Sequence, residues 1–224
     1  MKQFGIIGYP AAHSLSPILF KEAYGGAFGY DIIETSSFDH AFGLFLKYYD
    51  AVNLTMPFKG LAAERADFRS EAVQATGAAN ILVKEADGIH AYNSDYLAVK
   101  KILESNNCDS CSIIGIGGAG KAALFAAEEL GLDVRTYHHD EIADGVEADT
   151  VIFTLPKAVP GIERIRCRVL LEANYKDPCL QGIDGIRDYI PGKEWLKFQA
   201  IEGYALMTGI VPDIEKILYI AEQF

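Results

Sequence analysis

Three short polar stretches place reactive groups where apolar runs end. The first is His13-Ser14-Leu15-Ser16-Pro17, the second Asn53-Leu54-Thr55-Met56-Pro57-Phe58-Lys59, and the third Asn93-Ser94-Asp95. Together they offer hydroxyls, amides, one lysine and one carboxylate, a set suited to a small, hydroxylated, anionic molecule. In a parallel sheet, ligands bind beyond the carboxyl ends of the strands, which is where the first two stretches fall. Each residue also has a plainer reading. Lys59 taken alone is an ordinary solvated lysine. Ser16 reads as a helix N-cap followed by Pro17 in the first turn, and Asp95 as an N-cap for a helix starting near Tyr96. His13 reads as a loop histidine without a catalytic role.

A fourth stretch carries different chemistry. Gly115-Ile116-Gly117-Gly118-Ala119-Gly120 fits G-x-G-x-x-G between a strand pattern and a helix pattern. Glycines there allow a tight turn and bring backbone N–H groups close to a pyrophosphate at the helix N-terminus. Lys121 extends the match towards a P-loop, but Ala122 stands where the metal-holding hydroxyl would be needed. Dinucleotide binding is therefore the expectation. After the next strand comes Tyr137-His138-His139-Asp140. Asp140 lies at the distance where an acidic residue holds a ribose 2′-OH, favouring NAD(H), whereas the histidines could contact a phosphate.

The elements that must position these groups alternate. Strand patterns cover residues 4–10, 30–35 and 51–55, with helix patterns from 16, over 41–49, 61–68 and 70–76. Residues 80–84 and 89–92 read as a hairpin around Ala86-Asp87-Gly88, followed by a helix over 95–105. Asn106-Asn107-Cys108-Asp109-Ser110 reads as a linker. Beyond it come strand 111–116, helix 121–130 with Gly131 as its C-terminal stop, strands 133–139, 150–156 and 168–174, and a closing helix over 213–224. The βα alternation predicts an α/β protein of two domains with a cleft between them. The first is an α/β substrate-binding domain with a mainly parallel sheet, residues 1–107, onto which 204–224 packs back. The second, 108–203, is a Rossmann-type dinucleotide-binding domain.

Composition narrows the function classes. The 224 residues carry a formal charge of −11, which disfavours nucleic acid and anionic membranes as partners. The N-terminal stretch reads as a first strand rather than a signal peptide, so a cytoplasmic location is expected. Cys108 and Cys111 form a lone C-x-x-C without the second ligand pair a zinc site needs, and no metal is expected.

The motifs resemble the shikimate dehydrogenase family and its quinate/shikimate relatives. The matching pieces run in family order: GYPAAHSLSP, NLTMPFK, TGAANIL, DGIHAYNSDY, GIGGAG and, more loosely, GYALM. The resemblance implies reversible reduction of 3-dehydroshikimate to shikimate by NADP(H), in the shikimate pathway of aromatic amino acid biosynthesis, by a cytoplasmic monomer or homodimer. It implies Lys59 and Asp95 as the catalytic pair. It implies Ser14 and Ser16 on the substrate carboxylate, Asn53, Thr55, Asn80 and Asp95 on ring hydroxyls, and Tyr175 at the substrate edge. It implies Gly115, Gly117, Gly118, Ala119, Gly120, His138, His139, Asp140 and Gly203 around the cofactor. Departures fall at Ile81, at Ser94, at the histidines that replace a basic cofactor segment, at Phe153, and at Ile210, where the family has a substrate-binding glutamine. The chain is also shorter than most relatives. The alternatives are NAD(H) as cofactor, quinate or another cyclic polyol acid as substrate, and a catalytically weak dinucleotide- or metabolite-binding sensor.

Overall fold

Two α/β units make up the computed structural model, which describes residues 2–223. The first unit runs to Ser94 and resumes at Gln199; the second is Asp95–Phe198. The element order is β1 (Gln3–Gly8), α1 (Ser16–Ala23), β2 (Gly29–Glu34), α2 (Phe38–Tyr48), β3 (Ala51–Leu54), α3 (Lys59–Arg65), β4 (Phe68–Arg69), α4 (Glu71–Thr76), β5 (Ile81–Glu85) and β6 (Gly88–Tyr92). Then come α5 (Ser94–Ser105), β7 (Ser110–Ile114), α6 (Gly118–Glu129), β8 (Asp133–Tyr137), β9 (Glu147–Phe153), β10 (Arg166–Glu172), β11 (Ile186–Ile190), α7 (Gly192–Thr208) and α8 (Ile214–Ala221). Phe224, the last residue of the expected closing helix, lies outside the described residues.

The first unit holds a six-stranded sheet in the order β2-β1-β3-β5-β6-β4. β1 pairs in parallel with β2 and β3, and β4 with β6, while β5 runs antiparallel to both β3 and β6. In this sheet β5 runs against its neighbours, and the hairpin predicted from the Asp-Gly turn returns β6 to the direction of β3. Alternation sorts β3 cleanly: Val52 and Leu54 enter a core with Phe38, Phe42, Phe45 and Phe58, so Asn53 faces the other side. That other face is aromatic. Phe20 of α1 meets Phe4, Tyr30 and Tyr204 at ring-centroid distances of 5.2, 4.6 and 5.0 Å.

The second unit is an all-parallel sheet ordered β8-β7-β9-β10-β11. Its strands alternate between two cores. Ile113, Ile152 and Leu171 pack with Ala98, Ala123, Ala127 and Trp195 of α5, α6 and α7. Ile114, Val151, Phe153 and Leu170 pack with Ile142, Val146, Ile165 and Leu180, which come from connecting segments. One face is therefore covered by helices and the other largely by loops and a single 3-10 turn at Ile162–Arg164. Strand β11, strand β4 and the first turns of α7 have no counterpart in the sequence reading. β4 is only two residues long, and it takes Phe68 from the end of the helix expected over 61–68.

Candidate active site

The polar stretches after β1 and β3 are held against each other by backbone bonds. Thr55 N–H donates to Ile7 O (2.9 Å) and Tyr9 N–H to Met56 O (3.0 Å). A Cβ on Gly8 would stand 2.2 Å from Thr55 Cγ2, so only glycine lets Thr55 sit there. Glu34, at the end of β2, steadies the loop between: one carboxylate oxygen accepts from Ala11 N–H (2.6 Å) and Ala12 N–H (2.5 Å). These bonds hold its carboxyl below the ordinary value of 4.5. Ser14 Oγ accepts from Ser16 N–H at 3.2 Å, which closes the turn into α1. Sequence does not single out Glu34, because its partners are backbone groups more than twenty residues away.

Ser16 is not the N-cap. Leu15 occupies that position without a side-chain bond, and Ser16 is already helical. The reason is its stripe: Ser16, Phe20 and Tyr24 follow at four-residue spacing and face the sheet. The Ser16 side chain lies near the phenols of Tyr30 and Tyr204, which lowers the pull of burial on both. Tyr204 also donates to Ser16 O (3.1 Å), and Tyr30 to Asn53 Oδ1 (2.8 Å). Burial pushes both phenols above their ordinary value, so they remain protonated hydroxyls. Sequence reasoning misses these two tyrosines because they look like strand and helix core residues.

Asn53 is 7% exposed and Asn80 wholly buried. Asn80 Oδ1 accepts from Ser94 N–H (2.8 Å), and its Nδ2 donates to Ser94 Oγ (3.1 Å). The first N–H of α5 is therefore capped from a distant strand end. Asp95, expected as the N-cap, lies inside the first helical turn instead, 5% exposed. Gly203 packs on the same node: a Cβ there would stand 3.0 Å from Ser94 Oγ and 3.1 Å from Ile81 Cδ1. Lys59 opens α3, half-buried, with its carbonyl accepting from Ala79 N–H (2.8 Å). Ile210 stands beyond the end of α7, after Gly209 with φ 74°, and is 52% exposed. A glutamine does occur on α7: Gln199, half-buried, one turn before Gly203 and on its face.

In the second unit the strand order reverses between β7 and β9, and a doubly wound sheet binds its ligand at such a point. The glycine loop stands there. Gly115 has φ 92°, and Thr154 after β9 donates to its carbonyl at 2.8 Å. A Cβ on Gly120 would stand 1.9 Å from Gly115 O, so α6 can approach the loop only as glycine. Gly117 is the N-cap of α6 and makes no side-chain bond, and Cβ positions on Gly117 and Gly118 would meet nothing within 4 Å. Open backbone N–H groups at a helix N-terminus, with room above them, fit a pyrophosphate.

His138, His139 and Asp140 are exposed in a turn after β8, with Glu141 Oε2 accepting from His138 N–H at 2.6 Å. Tyr175 follows β10, half-buried, and burial raises its phenol. The buried Glu172 accepts from Cys179 N–H (2.7 Å), Leu180 N–H (3.2 Å) and Tyr189 Oη–H (2.6 Å), fixing the segment that carries Tyr175. The cysteines are free, and burial pushes Cys111 up to about 12. Among the described residues no helix is long and apolar enough to cross a membrane.

The fold and these strand-end groups define a class: an α/β protein of two sheets, one mixed with a buried polar seat, the other parallel and Rossmann-type. The profile of the shikimate dehydrogenase substrate-binding domain matches residues 6–82. A shikimate dehydrogenase (NADP(+)) of Anaeromyxobacter sp. (strain K) is 31% identical over 175 residues, covering 71% of this chain and 59% of the relative. A shikimate dehydrogenase of Thermotoga petrophila is 32% identical over 136 residues, covering 58% and 52%. Among solved structures, shikimate 5-dehydrogenase of Thermus thermophilus, in complex with NADP(H) and shikimate, superposes with a TM-score of 0.85 at 22% identity, covering 100% of this chain and 99% of the other. Shikimate dehydrogenase of Mycobacterium tuberculosis gives 0.83 at 25%, covering 100% and 99%. The chain belongs to the shikimate dehydrogenase family. It spans less than two thirds of the length of the curated relatives it matches.

Proposed function

We propose that this protein catalyses the reversible NADP(H)-dependent reduction of 3-dehydroshikimate to shikimate. The observation that carries the reading is the seat at the ends of β1 and β3. There Ser14, Ser16, Asn53 and Thr55 are fixed by backbone bonds and buried phenols beside the half-buried Lys59. Ser14 and Ser16 would take the substrate carboxylate, and Asn53 and Thr55 the ring hydroxyls. Hydride arriving at a carbonyl carbon leaves an alkoxide that needs a proton, and the reverse reaction must remove it. Lys59 and Asp95 are the groups proposed to hold and move that proton, the ammonium also stabilising the developing charge. Asn80 acts by fixing Ser94, and through it the backbone that carries Asp95. Ile210 stands where the family has a substrate-binding glutamine, and its side chain offers no hydrogen bond there. Gly115, Gly117, Gly118, Ala119 and Gly120 would receive the pyrophosphate of the cofactor, which supplies the hydride when bound.

His138 and His139 would face the ribose end, where Asp140 and Glu141 also stand. These carboxylates favour NAD(H) as a second cofactor. The test follows reduced-cofactor absorbance with shikimate or quinate and NADP⁺ or NAD⁺. Turnover of shikimate with NADP⁺, lost in Lys59→Ala, is the expected result. Activity with quinate only, or a higher kcat/KM with NAD⁺, overturns the substrate or the cofactor assignment respectively. Tight binding without turnover in any combination identifies a sensor.

A further inference from the structure

We propose that Tyr30 is a positioning residue of the substrate seat: it locks the Asn53 amide so that this residue offers the ligand a hydrogen-bond donor. The inference rests on the reading of Asn53 as a substrate contact. Two fixed partners decide which way the amide points. Asn53 Nδ2 lies 3.5 Å from Asn80 O, a backbone carbonyl that can only accept, so the nitrogen must be on that side. Oδ1 then faces Tyr30, 2.8 Å away, and an amide oxygen can only accept, so Tyr30 must donate. A phenol has one proton. That proton is spent on Asn53.

The direction of the bond from Tyr30 to Asn53 is therefore determined. Beyond the bond to Asn80 O, Asn53 keeps a second amide N–H, and this N–H reads an acceptor on a ligand. Tyr30 reaches Asn53 from another strand because its side chain lies on the Asn53 face of the sheet. Phe20 (4.6 Å between ring centroids) and Tyr204 (6.4 Å) hold its ring.

The test is steady-state kinetics of the full chain with shikimate and NADP⁺, combined with a double-mutant cycle. Tyr30→Phe keeps the ring and removes the bond. It is expected to raise KM for shikimate about 5–10-fold, the order of one lost hydrogen bond to a polar group, with kcat changed less than about twofold. Combined with Asn53→Ala its effect should vanish, whereas combined with Ser14→Ala the effects should multiply. Tyr204→Phe removes a phenol from the same cluster without touching Asn53, and its effect should multiply with that of Asn53→Ala. Unchanged KM in Tyr30→Phe, or full multiplication with Asn53→Ala, overturns the inference while leaving the reaction intact. If wild-type protein neither turns over nor binds shikimate, the functional reading falls and this inference with it. Circular dichroism checks folding; should Tyr30→Phe not fold, Asn53→Asp keeps an acceptor for Tyr30 but loses the donor. That variant must then show the same KM rise, and an unchanged KM overturns the inference.

Discussion

Asn80 shows how much one buried amide can hold at a strand end. Its oxygen and one N–H are both used on Ser94, in a place with no solvent exposure. Asn80→Ala would strand the Ser94 N–H and Oγ in the interior. A loss of about 1–3 kcal/mol is expected, read as a lower midpoint in urea with an unchanged slope. An unchanged midpoint would mean that water takes over both bonds. Lys59 should behave in the opposite way. It is half-buried at the start of a helix, so Lys59→Ala should leave the stability read from the urea midpoint within about 0.5 kcal/mol of wild type. If Lys59 handles the proton, kcat should fall by roughly 10²–10⁴. A variant with near-normal kcat would return Lys59 to the ordinary surface lysine it resembles in isolation.

Among the elements, the loop between β1 and α1 depends on one carboxylate from the end of β2. Glu34 is stabilised as an anion by the Ala11 and Ala12 N–H groups, with His13 a smaller contributor. Its folded pKa is depressed, so its hold on the loop is complete above the ordinary value of 4.5 and is lost as pH falls through the lower folded value. KM for shikimate should therefore climb on the acid side of 4.5, measured under conditions where the protein stays folded. Glu34→Gln, whose amide oxygen can still accept both bonds but cannot titrate, should flatten that limb. An identical acid limb in Glu34→Gln would assign it to another group. The same scale shows why parts of the site are legible in sequence and others are not. Strand ends, the Asp-Gly hairpin and the glycine loop are local signals, and they fall where expected. Ser16 and Asp95 read as N-caps because a cap is also a local signal. The structure instead caps α5 from Asn80 and already has Ser16 inside α1, its carbonyl accepting from Tyr204, contacts that only the fold creates. Tyr30 and Tyr204 cannot be told from core aromatics by periodicity, since they are core aromatics with one polar end.

For the whole molecule, sequence alternation is enough for two α/β units, because parallel strands and their helices repeat a pattern that period-counting detects. It does not show how the second sheet is finished. Strand β11 carries Arg187, Asp188 and Tyr189 in a half-exposed run, and the connections around β9 and β10 use loops where a helical signal would have been needed. The two units have separate cores, and the residues proposed for the substrate carboxylate (Ser14, Ser16) and for the pyrophosphate (Gly115, Gly117, Gly118, Gly120) fall on different units, so each ligand should stabilise the protein through its own residues. A ligand at about one hundred times its Kd adds about 2.7 kcal/mol to the state that binds it. For a protein of this size that corresponds to roughly 5–10 °C in Tm. NADP⁺ and shikimate should therefore each raise Tm in a thermal-shift experiment. Gly120→Ala separates them: its Cβ collides with the Gly115 carbonyl and deforms the cradle above α6, while the seat at β1 and β3 is made of other residues. The variant should lose the NADP⁺ shift and keep the shikimate shift. If both shifts disappear together, the two seats are not independent in the way their residues suggest. If both persist, the pyrophosphate does not rest on the glycine loop.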